Sequence, residues 1–570
     1  MNARSKFAGF LLSSILLFSL AWTASPPPLV AQDVVVSAAI PDNAPQGMVN
    51  LNVQVKGNGF KKGAIAKWLV TGSETDTGGV TVNSTKFINS KELLANITVA
   101  ADAQTQKKLD IKVTLTSGRT GKGIELFAVT APSDNVCTSA EPASGDLDAG
   151  FFGWNEPNPS NRLGTVMTNT DGNIPSSADM EHANNVAIQA DGKIVVAGAT
   201  GEYDATDFAL VRYNGDGSLD TTFGPAQAGI VITDFSGVGN DASTVAIQSD
   251  GKLVVAGWAK NSSGGQDLAV ARYDTYGNLD PAFGSGGKTT VSGACIGQGL
   301  AIDTNSNIVV MGGGGAGLCA ARLTATGSLD TSFGTGGVAS VSPSARGGGG
   351  YTGTLQPDGK IVVVGNANSK FTGSDFAVAR FTSSGALDTT FGAGGVAIAD
   401  FFKYSDNPRG VAIDANNNIV VAGSIRTSNE YWSSADFGLA RFTPTGQLDT
   451  AFGTSGKVHA DFYGSWDEGY AVGVQADGKI VAAGFAENGP VMSSTAPMYF
   501  AMVRYNTDGT LDTSFGCAGT GKVTTNAGGH DNYAYGVALD GVDYKIILAG
   551  TSYPDDMNLG YYFTLARYWQ

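Results

Sequence analysis

From Val186 onward the chain repeats one pattern of apolar and polar positions. A short apolar segment (VAIQ at Val186) leads into a tight polar turn. Next comes a run that is apolar throughout, KIVVAG at Lys193, and then a segment ending in arginine, FALVRY, a glycine turn and LDTTFG. The apolar run recurs as KLVVAG at Lys252, NIVVMG at Asn307, KIVVVG at Lys360, NIVVAG at Asn418, KIVAAG at Lys479 and KIILAG at Lys545. A run without alternation predicts a strand buried on both faces. The turns before it hold Asp191-Gly192, Asp250-Gly251, Asp358-Gly359 and Asp477-Gly478; Asn305-Ser306 and Asn416-Asn417 stand there in two copies, and the last has a longer turn from Asp540-Gly541. Asp, Asn and Gly tolerate the positive φ of tight hairpins. A more variable fourth segment, such as GIVITDF at Gly229, completes the unit.

The arginine of the third segment falls at Arg212, Arg272, Arg322, Arg380, Arg441, Arg504 and Arg567, at intervals of 50 to 63 residues. Four strands in about sixty residues match a propeller blade better than a solenoid repeat. The last copy stops after its third strand. The missing piece lies upstream, where residues 145–153 read GDLDAGFFG and NRLGTVMTN follows from Asn161. The expected fold is therefore all-β: a seven-bladed β-propeller over residues 145–570, one blade being closed by N- and C-terminal strands. Closure removes the exposed sheet edges that an open array must cap.

In the six unbroken copies the arginine precedes an LD aspartate by eight residues: Arg212/Asp220, Arg272/Asp280, Arg322/Asp330, Arg380/Asp388, Arg441/Asp449 and Arg504/Asp512. Across the closure Arg567 pairs with Asp148. A pair present in every copy is read as a structural clamp on the turn, with arginine donating to carboxylate or carbonyl.

The repeated LD[TP][TSA]FG with its preceding [AV]R[YFL] resembles the delta-60 repeat family of exported bacterial proteins. That resemblance implies a β-propeller-like array and little about function.

Residues 33–132 have another texture. LNVQVKG from Leu51, GVTVN from Gly79, LLANITV from Leu93 and LDIKVTL from Leu109 alternate as strands with one wet face, which suits a β-sandwich. GNGFKKGAIAKWL from Gly57, followed by VTLTSGRTGKG from Val113, resembles the IPT/TIG immunoglobulin-like family, which implies a spacer or binding module. Residues 133–144 read as a linker.

Composition narrows the class. With 79 glycines and 15% charged residues the chain suits turn-rich β structure, and a net charge of −16 without basic clusters argues against nucleic acid. Arg4 and Lys6 precede an apolar run from Phe7 to Trp22, so residues 1–31 read as a secretory signal peptide. No later stretch has spanning length, and the mature chain is expected outside the cytoplasm: secreted, extracellular or periplasmic, with cell-surface association open. Cys137, Cys295, Cys319 and Cys517 allow three disulfide pairings, and the spacing does not choose.

Candidate chemistry falls on loops. Those before the first strands carry Glu181, Asp241, Asp406, Asp467, Glu468 and Asp531, an acidic rim able to bind a cation or a basic partner, or else caps on local turns. Loops between second and third strands carry Tyr203, Trp258, Phe371, Tyr431, Trp432 and Tyr553. Variable aromatic loops on a repeated scaffold suit recognition of protein or glycan. His182 and His530 lie in neighbouring loops across the closure, candidates for a metal or for acid–base work. No catalytic signature is present and no cofactor is expected, a bound divalent cation apart. The reading is an exported, non-catalytic interaction platform. The alternatives are a polysaccharide-active lyase or hydrolase, and a structural surface protein.

Overall fold

The structure is a computed structural model that describes residues 34–40, 43–45, 51–100, 103, 108–130, 145–148, 151, 164–170, 180–202, 205–235, 239–314, 317–371, 373–428, 435–489, 496–516, 519–541, 544–553 and 560–570. The expected signal peptide and linker lie outside the described residues, as do Cys137 and Cys517. The chain divides into two compact units near Thr130.

Ahead of that point the strands form two four-stranded sheets. One runs in the order Val35–Ile40, Leu51–Asn58, Glu92–Val99, Val80–Asn89; the other runs Asn43–Pro45, Thr120–Thr130, Lys108–Thr114, Ile65–Val70. Glu92–Val99 alternates strictly, burying Leu93, Ala95, Ile97 and Val99. In the second sheet Trp68 is fully buried and meets Phe127 edge-on at 5.7 Å.

The repeats form five separate four-stranded antiparallel sheets and one of eight strands. The first is His182–Ile188, Ile194–Glu202, Ala205–Tyr213, Ile230–Thr233, in sequence order, and the next four follow the same plan. The eight-stranded sheet is two such units joined by one parallel pair, Met498 with Asp531. Its second half is Asp531–Asp540, Lys545–Tyr553 and Tyr562–Trp569, edged by Thr165–Thr168 from far upstream, in register from Phe563–Thr168 to Ala566–Thr165.

The second strands are the most deeply covered, as their unbroken apolar runs require; Ile480–Glu487 is buried at every position. The turn ahead of them needs positive φ. Gly192 takes it at 80°, and Ser306 and Asn417 take it at 62° and 61° in the corresponding places. A left-handed residue with a Cβ costs roughly 1–2 kcal/mol. Asp303 offsets this by accepting the Asn305 and Asn307 amides, each at 2.8 Å.

The cores lie between sheets rather than within them. Val195, Phe208 and Phe223 of the first sheet pack with Leu253, Val255 and Tyr273 of the second. Equivalent clusters join each later pair. A further cluster unites Ile547, Ala549 and Phe563 with Phe151, Val166, Ile194 and Tyr213, so the last repeat packs on the first. Cys295 and Cys319 are disulfide-bonded within the third sheet's repeat.

Candidate functional site

The repeating charges come together at the LD turns. The arginine Nε lies 2.8 Å from the aspartate Oδ2 in the pairs Arg212 with Asp220, Arg322 with Asp330, Arg441 with Asp449 and Arg504 with Asp512. It lies at 2.9 Å in Arg272 with Asp280 and Arg380 with Asp388. Arg567 reaches Asp148 at 2.8 Å through Nη2. The LD-turn phenylalanine lies under each guanidinium, Phe223 under Arg212 at 4.3 Å and Phe151 under Arg567 at 4.5 Å. Six of the clamps also reach the neighbouring repeat: Arg212 Nη1 donates to the Thr275 carbonyl at 2.6 Å, Arg567 Nη1 to the Gly215 carbonyl, and Arg272, Arg322, Arg380 and Arg441 do likewise. Burial works against the ionised Asp220, but hydrogen bonds from Thr222 and Lys193 and the charge of Arg212 hold its carboxyl well below the usual range.

The clamps differ in how deeply they are covered, Asp449 and Asp330 being the most open. The Asp449 side chain is 18% exposed and that of Asp330 17%, against 4% for Asp220, so neither is a buried ion pair. The reason lies one strand away. Lys193 covers Asp220 and joins it at 3.0 Å, but Asn418 and Asn307 stand at that place in the repeats of Asp449 and Asp330. The shorter Asn418 turns to its own hairpin, donating to Asp414 at 2.9 Å, and leaves Asp449 partly open to water. Asp449 still fixes its turn, accepting the Ala451 amide at 3.1 Å, and Arg441 still donates to the Thr507 carbonyl at 2.6 Å.

Three of the six loop aromatics are described, and their settings differ. Phe371 is 84% exposed and Trp258 is half-buried on its strand opposite Asp241, while Tyr553 packs against Tyr561 at 4.9 Å. Tyr203, Tyr431 and Trp432 lie outside the described residues.

The acidic residues also separate. Glu181, Asp406 and Asp467 are buried at the position that opens each first strand, where the other repeats place Asn240, Cys295, Gly348 and Asn532. Glu181 accepts from the amide and hydroxyl of Thr170 at 2.9 and 2.8 Å. One residue on, Asp241 and Glu468 are half-buried. His182 Nε2 meets Asp241 Oδ2 at 2.8 Å, while His530 Nδ1 meets Asp531 at the same distance, so the two histidines serve different carboxylates. Burial disfavours the charged His182 ring, yet the Asp241 carboxylate outweighs it and raises the imidazole above its ordinary value.

What the structure does assemble is a column of β-bulges. Every first strand breaks register against its second strand at one place: between Ala183 and Asn185, Ala242 and Thr244, Ile296 and Gly299, Gly350 and Thr352, Pro408 and Gly410, Gly469 and Ala471, and Ala534 and Gly536. A bulge re-aims the extra residue. The extra residues are Asn184, Ser243, Gln298 with Gly297, Tyr351, Arg409, Tyr470 and Tyr535.

Several of them touch. The Arg409 guanidinium sits over Tyr351 at 4.4 Å and Tyr470 at 5.6 Å. Tyr470 meets Tyr535 edge-on at 5.0 Å, and Tyr533 stacks near-parallel to Tyr535 at 6.3 Å. Asn184 Nδ2 donates to Asp241 at 2.7 Å. Glu468 accepts from Tyr470 OH and from Trp466 Nε1, both at 2.9 Å. A cavity of about 400 Å³ opens among Met180, His182, Asn184, Tyr533, Tyr535, Thr551 and Tyr561. Burial, with Glu468 beside it, pushes the Tyr470 phenol well above its usual range, and burial does the same for Tyr533 and Tyr535. These hydroxyls stay neutral, and that of Tyr470 donates to Glu468.

Tyr351, Arg409, Tyr470, Tyr535 and Tyr561 are absent from the residues singled out in the sequence. For Arg409 and Tyr470 the signal is the fourth residue of the quartets DNPR and DEGY, which carry the acids.

Five stretches, residues 189–223, 248–283, 356–391, 415–452 and 475–515, match the family described as "Domain of unknown function (DUF5122) beta-propeller". These five stretches are similar to the repeats of a β-propeller family. Comparison with curated protein sequences gives no match. Among solved structures the chain is similar to a glucose dehydrogenase, at 11% identity over 69% of this chain and 99% of that one, with a TM-score of 0.32. It is similar to Kuenenia stuttgartiensis hydrazine synthase at 12% identity over 69% and 44% of the two chains, TM-score 0.30. A polysaccharide lyase, Uly1, follows at 10% identity over 65% and 79%, TM-score 0.28.

Proposed function

We propose that the protein is an exported glycan-binding module, with an immunoglobulin-like β-sandwich ahead of a closed seven-bladed propeller whose bulge column forms the ligand site. Closure is supported by the pairing of Thr165–Thr168 with Tyr562–Trp569 and by the core that unites the last repeat with the first. Export rests on the basic and apolar N-terminal segment.

The bulge column carries the functional reading. The scaffold repeats, yet this one position changes from repeat to repeat: Asn184 and Tyr535 line the cavity, and Tyr470 connects Tyr535 to Arg409 and Tyr351. Its size lies within the usual range for small-ligand sites, which pair aromatic walls with a few convergent polar groups. A sugar ring offers both partners: an apolar C–H face for Tyr535 or Tyr561, and hydroxyls for Asn184 and His182.

Glycan-array screening of the full chain, followed by calorimetric titration, tests this. Binding that is lost in Tyr535→Ala with unchanged melting supports it, and binding unaffected by that change defeats it. The His182–Asp241 pair at the cavity wall favours a second reading, a polysaccharide-active lyase or hydrolase. Release of oligosaccharide from a bound polymer would establish it in place of the first.

A further inference from the structure

Three repeats build one cage from the same three positions. The first member lies on a third strand (Asp207, Asp375, Asp436), the second follows a fourth strand (Asp234, Asp400, Asp461), and the third opens the next sheet (Asn240, Asp406, Asp467). In the first repeat the third member is an amide. Asn240, fully buried, donates through Nδ2 to Asp207 at 3.0 Å and to Asp234 at 3.3 Å. Its N–H groups supply the positive end that two neighbouring carboxylates need.

In the fifth repeat that amide is replaced by a third carboxylate. Oxygens of Asp436, Asp461 and Asp467 come within 4.8 Å of one another. Asp467 is fully buried; its Oδ2 accepts the Phe462 amide at 2.7 Å, while its Oδ1 is buried with no hydrogen-bond partner among the described residues. The nearby Lys522 ammonium donates to the Asp461 carbonyl oxygen. Among the described residues, the Asn240 amide therefore has no counterpart here. A buried carboxylate oxygen left without a donor is costly, and two more carboxylates beside it deepen the cost. In the sibling group, Asp375, Asp400 and Asp406, the third member differs from Asp467: both Asp406 oxygens accept backbone amides, from Phe401 at 3.1 Å and Arg426 at 3.3 Å.

We propose that Asp436, Asp461 and Asp467 hold a divalent cation of the calcium class, which takes the place that the Asn240 amide fills in the first repeat. Hard cations choose carboxylate and carbonyl oxygens and accept irregular geometry, and these three side chains offer oxygen only. Asp461, which is exposed, supplies the side from which the ion enters with its remaining waters. The site is independent of the bulge column and does not rest on the glycan reading.

The test uses the full chain, stripped with chelator and then dialysed against calcium chloride alone. Bound calcium is measured by equilibrium dialysis and melting by calorimetry. Wild-type protein should bind calcium and melt higher with it. Asp467→Asn should bind one ion fewer per chain, and in chelator should melt no lower than stripped wild type, since the amide restores the donors seen at Asn240. Asp461→Asn, at an exposed position, should also lose one ion and covers the case in which Asp467→Asn fails to fold. Asp406→Asn should leave this ion in place. Wild type that binds no calcium, or Asp461→Asn and Asp467→Asn chains that bind as many ions as wild type, would overturn the proposal.

Discussion

Asp148 and Arg567 stand at opposite ends of the repeats and meet at 2.8 Å, as Arg212 and Asp220 do within one repeat, but through Nη2 in place of Nε. Lys545 joins the same Asp148 oxygen at 2.9 Å, as Lys193 joins Asp220 at 3.0 Å. Arg567 then donates to the Gly215 carbonyl of the first repeat, so a single side chain ties the last repeat to both.

Arg567→Ala should therefore destabilise the chain. Removing one partner of a largely buried pair typically costs about 3–5 kcal/mol, because the other charge stays behind. Arg322→Ala and Arg441→Ala are the comparisons. Asp330 and Asp449 are more open to water, at 17% and 18%, and asparagines stand where other repeats place a lysine, so losing either arginine should cost less. Calorimetric melting checks all three; an unchanged melting temperature in Arg567→Ala would remove this clamp from the account of closure.

Tyr470→Phe should weaken ligand binding without unfolding the protein. The substitution keeps the ring against Tyr535 and Arg409 but deletes the hydroxyl that orients Glu468. The loss of one such hydrogen bond is worth about 0.5–1.5 kcal/mol, or roughly threefold to tenfold in affinity. Titration with the glycan found by array measures it. Phe371→Ala, on an exposed ring that does not line the cavity, should leave the affinity unchanged.

The repeating half of this architecture is legible in the sequence because repetition amplifies it. Arg212 and Asp220 stand out through their many copies, and the Ile194–Glu202 strand through its unbroken apolar run. Repetition also hides differences: Asp449 reads as the equal of Asp220, although the asparagine at 418 leaves it more exposed. The bulge column is hidden for the opposite reason. Asn184, Tyr351, Arg409 and Tyr470 share a position but no single residue type, and a bulge shifts the side-chain phase by one residue, so strict alternation misplaces them. Asp406 and Asp467 read as rim residues because loop acids usually face water. Their alignment with Asn240 rather than with Asp241 marks them as inward, and only the strand register reveals that alignment. The loop aromatics mislead by composition alone: Trp258 lies within a strand, with a partner across it.

Cys295→Ala should lower stability under oxidising conditions. The bond to Cys319 closes a loop with a sequence separation of 24, for which loop-closure entropy suggests about 3 kcal/mol. Denaturant unfolding in the presence and absence of a reductant checks this. The difference between wild type and variant should shrink once the disulfide is reduced, and a difference that persists would assign the effect to packing in the core beneath Cys295.

The buried carboxyls give melting a pH dependence with a definite sign. Burial, reinforced by Asp461 and Asp436, pushes Asp467 up to about 8. Burial, with Asp461, pushes Asp436 up to about 7, and Lys522 opposes both. Burial, with Asp375 and Asp400, pushes Asp406 up to about 7. A carboxyl raised on folding keeps its proton longer in the native state, so its contribution is complete below the ordinary carboxylate range and is lost as pH climbs through 7 to 8. In chelator, the melting temperature should fall as pH rises through that window. Calcium should flatten the fall, since the ion replaces the proton as the positive partner of Asp467. Asp467→Asn should flatten it in chelator as well, by removing the group that titrates highest. A chelated wild-type profile that stays level across the window would mean that these carboxylates have found their counter-charge elsewhere.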